Sequence, residues 1–410
     1  MKIKVLVICS GWGSWIKPFL EVMSADKDLQ MYVLNVSSDD FNKQEQSNTF
    51  VLNLSAKERQ GAISQSTFEK YRRIIDEVSP DIIHIYGTEN NMGMITQYIQ
   101  NIPIVISIQG LLSDIGHFRE SFLHYDELKR FRSLKNYLGK GGFVTDKQIK
   151  NNGETEKHII DSNKYFIGRT NMDRSVLHFE NNDAKYFVGE ELLRPPFYQE
   201  EGTWRLENVE NHSIFMPSGF NPIKGMHVAL ETLYHLRKDY PDVKLYIPGL
   251  NPKYIFAGCL WRYTRGEMYS NYLRGMIRKY QLEHNIVLTG RLSAEGMVEC
   301  MLKCHVFLSP TVTDNSPNSI GEATMLGMPI VASYVGGVPS ILKDEESCLF
   351  APSGDPYMIA ASIKRLFEDN DMAIRLSKNA TLVAKKRHDQ DVIREQYKNI
   401  YRQIIEDFKK

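Results

Sequence analysis

The hydrophobic positions of this chain form short β-branched runs that alternate with longer amphipathic stretches. In the first half, the apolar runs predict strands at residues 5–9, 31–36, 81–86, 104–108 and 165–168. In the second half, the same pattern predicts strands at residues 213–217, 243–247, 285–289, 305–309 and 329–333. Helical spacing appears between several runs, for example over residues 65–78. The alternation predicts an α/β protein with two parallel sheets wrapped by helices.

The length and the polar stretches predict two domains. A chain of 410 residues exceeds the size of about 250 to 300 residues at which a single core stops growing. An Arg-Pro-Pro run and a polar stretch near residues 190–211 are typical of an inter-domain connection. The predicted domains are residues 1–205 and 206–387, and a terminal helix follows over 388–410. One face of that helix is apolar, formed by Ile393, Tyr397, Ile400 and Ile404.

The charge balance and the cysteines narrow the class of protein. Lysine plus arginine equals aspartate plus glutamate at 50 each, so no net field attracts nucleic acid. The 5 cysteines are few and odd in number, which is typical of reduced thiols in a cytoplasmic protein. Cys300, Cys304 and His305 have the chemistry of metal ligands, but their apolar context favours the core. Asp369-Asn370-Asp371 is interpreted as a surface turn, and no essential metal is expected.

The apolar runs are too short to target the chain to a membrane by a spanning helix. The N-terminal run after Lys4 is shorter than a secretory signal needs, and it is interpreted as the first strand. No apolar run approaches the roughly 18 residues that a transmembrane helix requires. We therefore expect a cytoplasmic protein, with peripheral attachment at the inner face of the membrane left open.

Residues 307–342 carry the most specific chemical pattern in the chain. Asp314 falls on a loop after a buried strand, and Glu322 falls on the helix that can begin near Pro317. The amides of Asn318 and Ser319 would form the helix N-terminus, where phosphate groups bind well. Carboxylates for hydroxyl groups beside a phosphate-binding helix suit a sugar nucleotide. The alternative is that Asp314 caps its loop and Glu322 is a solvated helix residue.

The order of motifs extends beyond these carboxylates. Gly327 is predicted to end the helix, a second buried strand follows, and Gly336, Gly337 and Pro339 are predicted to open another helix. Over residues 212–385 this order resembles the nucleotide-sugar half of family-4 retaining glycosyltransferases of the GT-B fold. The resemblance implies two Rossmann-like doubly wound domains that face each other across a cleft, with the acceptor on the first and the donor on the second. It also implies a terminal helix that crosses back to the first domain.

The resemblance implies roles for residues on the donor side. It places the donor-sugar hydroxyls at Asp314, which is shorter than the commoner glutamate, and the ribose hydroxyls at Glu322. Lys224, before Gly225 and a predicted helix, matches a lysine-glycine pair suited to a leaving diphosphate. A solvated surface lysine is the alternative. Where the family usually has an arginine, this chain has Phe220.

On the acceptor side, the glycines of the loop after the first strand would let the backbone approach a bound group. These are Gly11 and Gly13, and a purely structural tight turn explains them equally well. Gln109 lies where many relatives have a histidine, so its predicted role is orientation and not proton transfer. His117 is the alternative occupant of that place. Arg169 lies near the acceptor or pairs with Asp173.

Residues 118–140 combine basic and apolar positions at helical spacing. This pattern is compatible with contact to a membrane that carries a lipid-linked acceptor. The alternative is a solvated helix that covers the first domain.

The predicted function is retaining transfer of a sugar from a nucleoside diphosphate sugar to a hydroxyl acceptor, either a carbohydrate or a lipid-linked one. The family favours bacterial surface polysaccharide or glycolipid synthesis, without a cofactor. Three alternatives stay open: a GT-B sugar phosphorylase, a nucleotide-sugar epimerase, and a non-catalytic subunit that binds a nucleotide sugar. The sequence leaves the base, the donor sugar, the acceptor, the linkage and the oligomeric state open.

Overall fold

The chain divides into two compact units. A computed structural model describes residues 2–11, 16–37, 48–112, 116, 118, 121–123, 125–138, 146–219, 221–249 and 267–410. The first unit contains Met1–Gly116, Asp146–Leu193 and His388–Lys410, and the second contains His117–Thr145 and Arg194–Arg387. The boundary predicted after residue 205 therefore lies inside the second unit. Residues 117–145, which the prediction assigned to the N-terminal domain, also belong to the second unit.

Each unit is built on one parallel sheet. In the first unit the strands are β1 (Ile3–Cys9), β2 (Leu29–Ser37), β3 (Thr49–Asn53), β4 (Ile82–Tyr86), β5 (Ile104–Ser107), β6 (Tyr165–Gly168) and β7 (Lys185–Val188). In the second they are β8 (Glu210–Phe215), β9 (Lys244–Pro248), β10 (Ile286–Gly290), β11 (Cys304–Ser309), β12 (Ile330–Ser333) and β13 (Leu349–Ala351).

Both sheets follow the doubly wound order. The first runs β3-β2-β1-β4-β5-β6-β7 and the second runs β10-β9-β8-β11-β12-β13. The central strands β4, β5, β6, β11 and β12 are buried along their whole length, as strands covered on both faces must be. All predicted strands are confirmed within one to three residues at their ends. The prediction missed β3, β7 and β13.

Helices connect the strands in both units. Within the described residues the α-helices are Ile16–Ser24, Gln65–Val78, Tyr125–Lys129, Leu134–Tyr137, Asp146–Ser162, Asn171–Glu180, Pro195–Gln199, Met226–Leu236, Met268–Lys279, Ala294–Leu302, Asn318–Leu326, Pro356–Glu368, Asn370–Arg387 and Gln390–Phe408. Short 3₁₀ segments lie at Asn91–Tyr98, Leu206–Asn208, Pro222–Lys224 and Val338–Ser340. None of the described helices is long and apolar enough to cross a bilayer.

Two helix predictions can be judged directly. The prediction for 65–78 is confirmed, and Ser64 Oγ caps this helix by accepting a hydrogen bond from Thr67 N at 3.1 Å. The helix predicted to open at Gly336 is wrong, because the chain makes only the 3₁₀ turn Val338–Ser340. A polar turn, closed by the β-bridge between Asp344 and Cys348, follows directly in the chain. Only one helical turn therefore fits before it.

The terminal helix Gln390–Phe408 belongs to the first unit, as predicted. Its apolar face is buried there, and the rings of Tyr397 and Tyr401 are almost inaccessible to solvent. The Tyr401 hydroxyl lies 2.8 Å from His84 Nδ1 on β4, and His84 Nε2 lies 2.7 Å from Ser107 Oγ on β5. Burial lowers the pKa of His84 to about 3, so this imidazole is neutral at physiological pH.

Residues 118–138 correct another prediction. The described residues in this range contain two short helices of the second unit, Tyr125–Lys129 and Leu134–Tyr137, whereas one of the two alternatives was a helix that covers the first domain. His227 Nε2 donates to Ser121 O at 2.8 Å, and Asn271 Nδ2 donates to Phe131 O at 3.0 Å. A Cβ at Gly275 would lie 2.7 Å from the Phe131 ring, so this ring packs directly on the Met268–Lys279 helix.

Candidate functional site

The site of the second unit lies where its strand order reverses. β8 and β11 are neighbours in the sheet, although two strands separate them in sequence. In doubly wound sheets, the loops after two such strands form the crevice in which ligands bind. Here those loops are residues 216–225 and 310–317, which contain Lys224 and Asp314.

Backbone contacts hold the two loops together. Val312 N donates to Ile223 O at 2.7 Å, and Thr311 Oγ1 donates to the same carbonyl at 3.0 Å. Gly225 has a φ of +75°, and a Cβ there would lie 2.0 Å from Pro310 O. Only glycine permits both this conformation and this close approach. The position of Lys224 relative to residues 310–314 is therefore fixed by the backbone.

Lys224 and Asp314 form an ion pair. Lys224 Nζ lies 2.5 Å from Asp314 Oδ2, and their side chains are 38% and 17% exposed. Asp314 O also accepts a hydrogen bond from Gly337 N at 2.9 Å, which ties its loop to the segment after β12. A lysine ammonium has three donors, so Lys224 can keep this contact and still donate to a ligand. The structure thus brings together two side chains that the sequence predicted independently.

The helix Asn318–Leu326 begins directly after this loop. Pro317 is its N-cap residue and makes no side-chain capping bond, and Gly327 ends the helix in the left-handed conformation as predicted. The N–H groups of Asn318 and Ser319 lie in the first turn, where the helix dipole is positive. This end of the helix retains the capacity to bind an anion.

Glu322 is not a solvated helix residue. Its side chain is 7% exposed, and Arg194 binds both of its oxygens, Nε to Oε1 at 2.6 Å and Nη2 to Oε2 at 2.8 Å. Burial raises the pKa of Glu322, and the Arg194 guanidinium opposes this shift. The guanidinium carbon lies 4.8 Å from the centre of the Phe197 ring.

Sequence reasoning missed Arg194, which it took as part of an inter-domain connection. A residue directly before proline is restricted to extended backbone, and Arg194 indeed has φ −67° and ψ 139°. That signal predicts the conformation of the backbone. It does not indicate a partner that lies 128 positions further along the chain.

In the first unit, the predicted site residues lie at the carboxyl edge of the sheet. Gly11 follows β1 with a φ of +78°, and its N–H donates to Asn35 Oδ1 at 2.9 Å. The glycine therefore serves a tight turn, and its role toward a ligand stays a prediction. Several other predicted or weighed residues lie outside the described residues, namely Gly13, His117 and Phe220.

Gln109 belongs to a buried polar cluster after β5 and β6. Arg169 Nη2 lies 3.4 Å from Gln109 Oε1 and 3.3 Å from Ile108 O, and its guanidinium forms an ion pair with Glu191. Asp173 binds the backbone N–H of Arg169 at 2.8 Å, whereas the predicted alternative paired the two side chains. Arg169 is thus a structural partner of Gln109 in this unit.

A further acidic residue that the sequence did not indicate lies beside Gln109. Glu89 Oε1 accepts a hydrogen bond from Gly110 N at 2.7 Å, and burial raises its pKa. Cys304 and His305 are buried in the core of the second unit, as expected. Among the described residues, no three histidine, cysteine or acidic side chains are grouped as metal ligands.

Comparison with known proteins finds a family match in the second unit. Residues 204–383 match the family described as Glycosyl transferases group 1. The second unit is therefore similar in sequence to group 1 glycosyl transferases, over less than half of the chain. The matched region includes Lys224, Asp314 and Glu322, whereas Arg194 lies ten residues before it.

Curated relatives match part of the chain. The gpi3 subunit of a phosphatidylinositol N-acetylglucosaminyltransferase from Schizosaccharomyces pombe is 22% identical over 58% of this chain and 50% of its own. The corresponding relative in Homo sapiens, which carries the same enzyme name, is 27% identical over 59% and 45%. A putative colanic acid biosynthesis glycosyltransferase, WcaL of Salmonella typhimurium, is 25% identical over 34% and 32%. The chain spans about half the length of the first two relatives.

Solved structures match nearly the whole chain. Sucrose-phosphate synthase from Thermosynechococcus elongatus aligns with a TM-score of 0.70 at 16% identity, covering 98% of this chain and 99% of that one. Anabaena HepE in complex with UDP and glucose aligns with a TM-score of 0.67 at 15% identity, covering 97% and 98%. These similarities show that the chain has the GT-B fold.

Proposed function

We propose that this protein transfers a sugar from a nucleoside diphosphate sugar to a hydroxyl acceptor and retains the anomeric configuration. The observation that carries the proposal is the grouping of Lys224, Asp314 and an uncapped helix N-terminus at the reversal point of the second sheet. Cationic and anionic groups at one edge suit a ligand with both a diphosphate and sugar hydroxyls.

In this proposal the departing diphosphate is stabilised by Lys224 and by the amides of Asn318 and Ser319. Negative charge grows on the diphosphate as the glycosidic bond breaks, so donors fixed in advance lower the barrier. Asp314 accepts hydrogen bonds from the donor sugar through the oxygen that Lys224 leaves free. Glu322 accepts hydrogen bonds from the ribose hydroxyls.

Gly11 and Gln109 take the acceptor side in the proposal. The contact of Gln109 with Arg169 favours an orienting role, because an amide has donors and acceptors but does not titrate near neutral pH. The acceptor is a carbohydrate or a lipid-linked molecule of surface polysaccharide or glycolipid synthesis, which the names of WcaL and of the phosphatidylinositol enzymes support. Because HepE binds UDP and glucose, uridine diphosphate sugars are the first donors to test.

Binding and transfer can be measured in sequence. A thermal-shift panel of uridine, guanosine and adenosine diphosphates and their sugars should raise the melting temperature for at least one, since ligand at a hundredfold its Kd stabilises by about 2.7 kcal/mol. NMR of the product formed with that donor should show the anomeric configuration of the donor. Asp314→Asn should lower transfer, whereas Asp355→Asn, at the half-buried N-cap of the Pro356–Glu368 helix, should not.

Other outcomes would favour the alternative functions. Release of sugar phosphate that depends on inorganic phosphate indicates a phosphorylase, and conversion of the donor without acceptor indicates an epimerase. Binding without turnover on any acceptor indicates a non-catalytic subunit. A chain that responds to no nucleotide would contradict the proposal as a whole.

We further propose that residues 118–138 contact the anionic surface of a membrane from the cytoplasmic side. Phe122, Leu134, Tyr137 and Leu138 are between 56% and 71% exposed. Residues 121–138 carry four basic residues against two acidic ones. An apolar patch with an excess of positive charge favours binding to an anionic bilayer.

Sedimentation with vesicles tests this contact. The protein should bind phosphatidylglycerol vesicles more strongly than phosphatidylcholine vesicles, and Leu138→Glu should weaken binding. Leu382→Glu is the matched control, because Leu382 is 64% exposed on the Asn370–Arg387 helix of the same unit. Equal sedimentation of both variants would contradict a role for this patch.

A further inference from the structure

Arg194 and Glu322 form a bidentate ion pair within the second unit. The guanidinium and the carboxylate meet through two parallel hydrogen bonds of 2.6 Å and 2.8 Å. Such bidentate pairs fix both the position and the plane of the carboxylate. Phe197 supports the guanidinium from its face, at 4.8 Å, so both partners are held in place.

We propose that Arg194 is a positioning residue of the nucleotide site, which holds the Glu322 carboxylate in the orientation that receives the ribose hydroxyls. This inference rests on the proposed function, because it assumes that a nucleotide binds beside Glu322. Arg194 itself does not contact the nucleotide in this arrangement.

The Glu322 carboxylate can bind Arg194 and the ribose hydroxyls at the same time. An ionised carboxylate offers about four lone-pair sites on its two oxygens. Arg194 occupies one site on each oxygen. With respect to the described residues, one site on each oxygen therefore remains, which matches the two hydroxyls of a ribose. The orientation of those sites is set by the plane that the guanidinium imposes.

The positive charge of Arg194 also affects the pKa of Glu322. Glu322 is buried, and burial raises its pKa, whereas Arg194 lowers it. Among the described residues, Arg194 is the charged group that shifts Glu322, and the exposed Glu295 lies close enough to sense Arg194. Arg387, the last residue of the Asn370–Arg387 helix, donates to Ser316 Oγ at 3.3 Å. Without Arg194, the carboxyl should therefore take up a proton at a higher pH.

Discrimination between ribose and dideoxyribose tests the proposal. Isothermal titration would compare UDP with 2′,3′-dideoxy-UDP, with GDP and ADP and their dideoxy forms tested in parallel. In the unmodified protein, loss of hydroxyls that bind a charged carboxylate should weaken binding by about ten- to a hundredfold. In Arg194→Met and in Glu322→Gln, the same comparison should give a difference of only a few fold.

Two further variants separate positioning from general support of the fold. Arg194→Lys keeps the charge without the planar fork and should give an intermediate discrimination. Arg365→Met removes a similar bidentate pair, with Glu345 at 2.9 Å and 3.2 Å on the surface, and should leave the discrimination unchanged. In Arg194→Met, UDP affinity should also fall with decreasing pH at higher pH values than in the unmodified protein.

Undiminished discrimination in both Arg194→Met and Arg194→Lys would overturn the inference and leave the proposed function standing. Absence of binding by all three nucleoside diphosphates to the unmodified protein would overturn both. If Arg194→Met does not fold, the Arg194→Lys result decides alone, because lysine preserves the charge balance at the site.

Discussion

The two units share one strand order but differ in how they hold charge at the carboxyl edges of their sheets. In the first unit, the side chains of Arg169 and Glu191 are only 4% and 8% exposed. In the second, Lys224 and Asp314 form a pair that is 38% and 17% exposed, at the equivalent edge. The side chains of Arg194 and Glu322 are 20% and 7% exposed, so this pair is half-buried on the arginine side and buried on the glutamate side.

The difference in exposure distinguishes a structural ion pair, in the first unit, from a pair that can take part in binding, in the second. Arg169 uses its guanidinium on Glu191, Ile108 O and Gln109, and all of these contacts lie inside the first unit. Within the described part of the chain, the Lys224 ammonium binds one side chain, Asp314, which solvent reaches, so a diphosphate can share this ammonium. Because the order of the strands is shared, we expect the exposure of the charged pair, and not the topology, to distinguish an edge that binds an anion.

The largest expected effect is a loss of stability, and it tests whether the pair of Arg169 and Glu191 is structural. Arg169→Met leaves Glu191 buried without its cation, which should lower the free energy of unfolding by about 3 to 5 kcal/mol. Urea denaturation followed by circular dichroism measures this loss. Arg169→Met combined with Glu191→Leu should recover much of it, since no unpaired charge then remains buried.

Arg365→Met is the control for Arg169→Met, because it removes an ion pair that is exposed. Its pair with Glu345 lies at the surface, where such pairs contribute about 0 to 1 kcal/mol. A loss for Arg169→Met as small as that for Arg365→Met would show that the first-unit pair is not structural, and the comparison between the units would fail.

The next largest expected effect is a loss of turnover, and it tests whether the pair of Lys224 and Asp314 takes part in binding. Lys224→Met should lower turnover by about 10²- to 10³-fold, the range found when a donor to a developing anion is removed. KM should change less than kcat, because the charge of the leaving group grows in the transition state. Stability should change by no more than about 1 kcal/mol, since the pair is partly exposed.

Lys244→Met is the matched control for Lys224→Met. Lys244 also lies 2.5 Å from an acidic partner, Glu210, and both side chains are 39% exposed, but the pair lies on β8 and β9 away from the reversal loops. Its loss should leave turnover unchanged. A KM effect in Lys224→Met that exceeds the kcat effect would argue against stabilisation of the leaving group.

The fold could be predicted from the sequence because the central strands are continuous apolar runs. β4 and β11, for example, are buried along their whole length, and most of their residues are apolar. The missed strands lack that signal. β3 and β7 are half-exposed edge strands that mix polar and apolar residues, and β13 has only three residues.

The candidate site could be predicted only in part, for a physical reason. Lys224, Asp314 and Glu322 lie in local motifs whose spacing is visible in the sequence. Arg194, Glu191 and Glu89 act through partners that the fold brings close from distant positions. The choice of a partner for a charged side chain depends on tertiary packing, which no local spacing encodes. The roles of all these residues toward a ligand stay predictions.

The smallest effect concerns a feature that the two units share. His84 in the first unit and His227 in the second are buried, with both ring nitrogens hydrogen-bonded, and burial lowers their pKa to about 3 and about 4. The unfolded chain, with an ordinary histidine pKa of about 6.5, takes up protons first as the pH falls. Each histidine should therefore cost about 2 kcal/mol of stability between pH 7 and pH 5.

Glutamine variants isolate this contribution, because an amide can donate and accept hydrogen bonds but does not titrate. Urea midpoints at pH 7, 6 and 5 should fall less steeply for His84→Gln and for His227→Gln than for the unmodified chain. Similar changes in slope are expected for the two variants, since both folded pKa values lie below this window. An unchanged slope in either variant would mean that its imidazole is protonated in the folded protein, and the similarity between the two cores would then not hold.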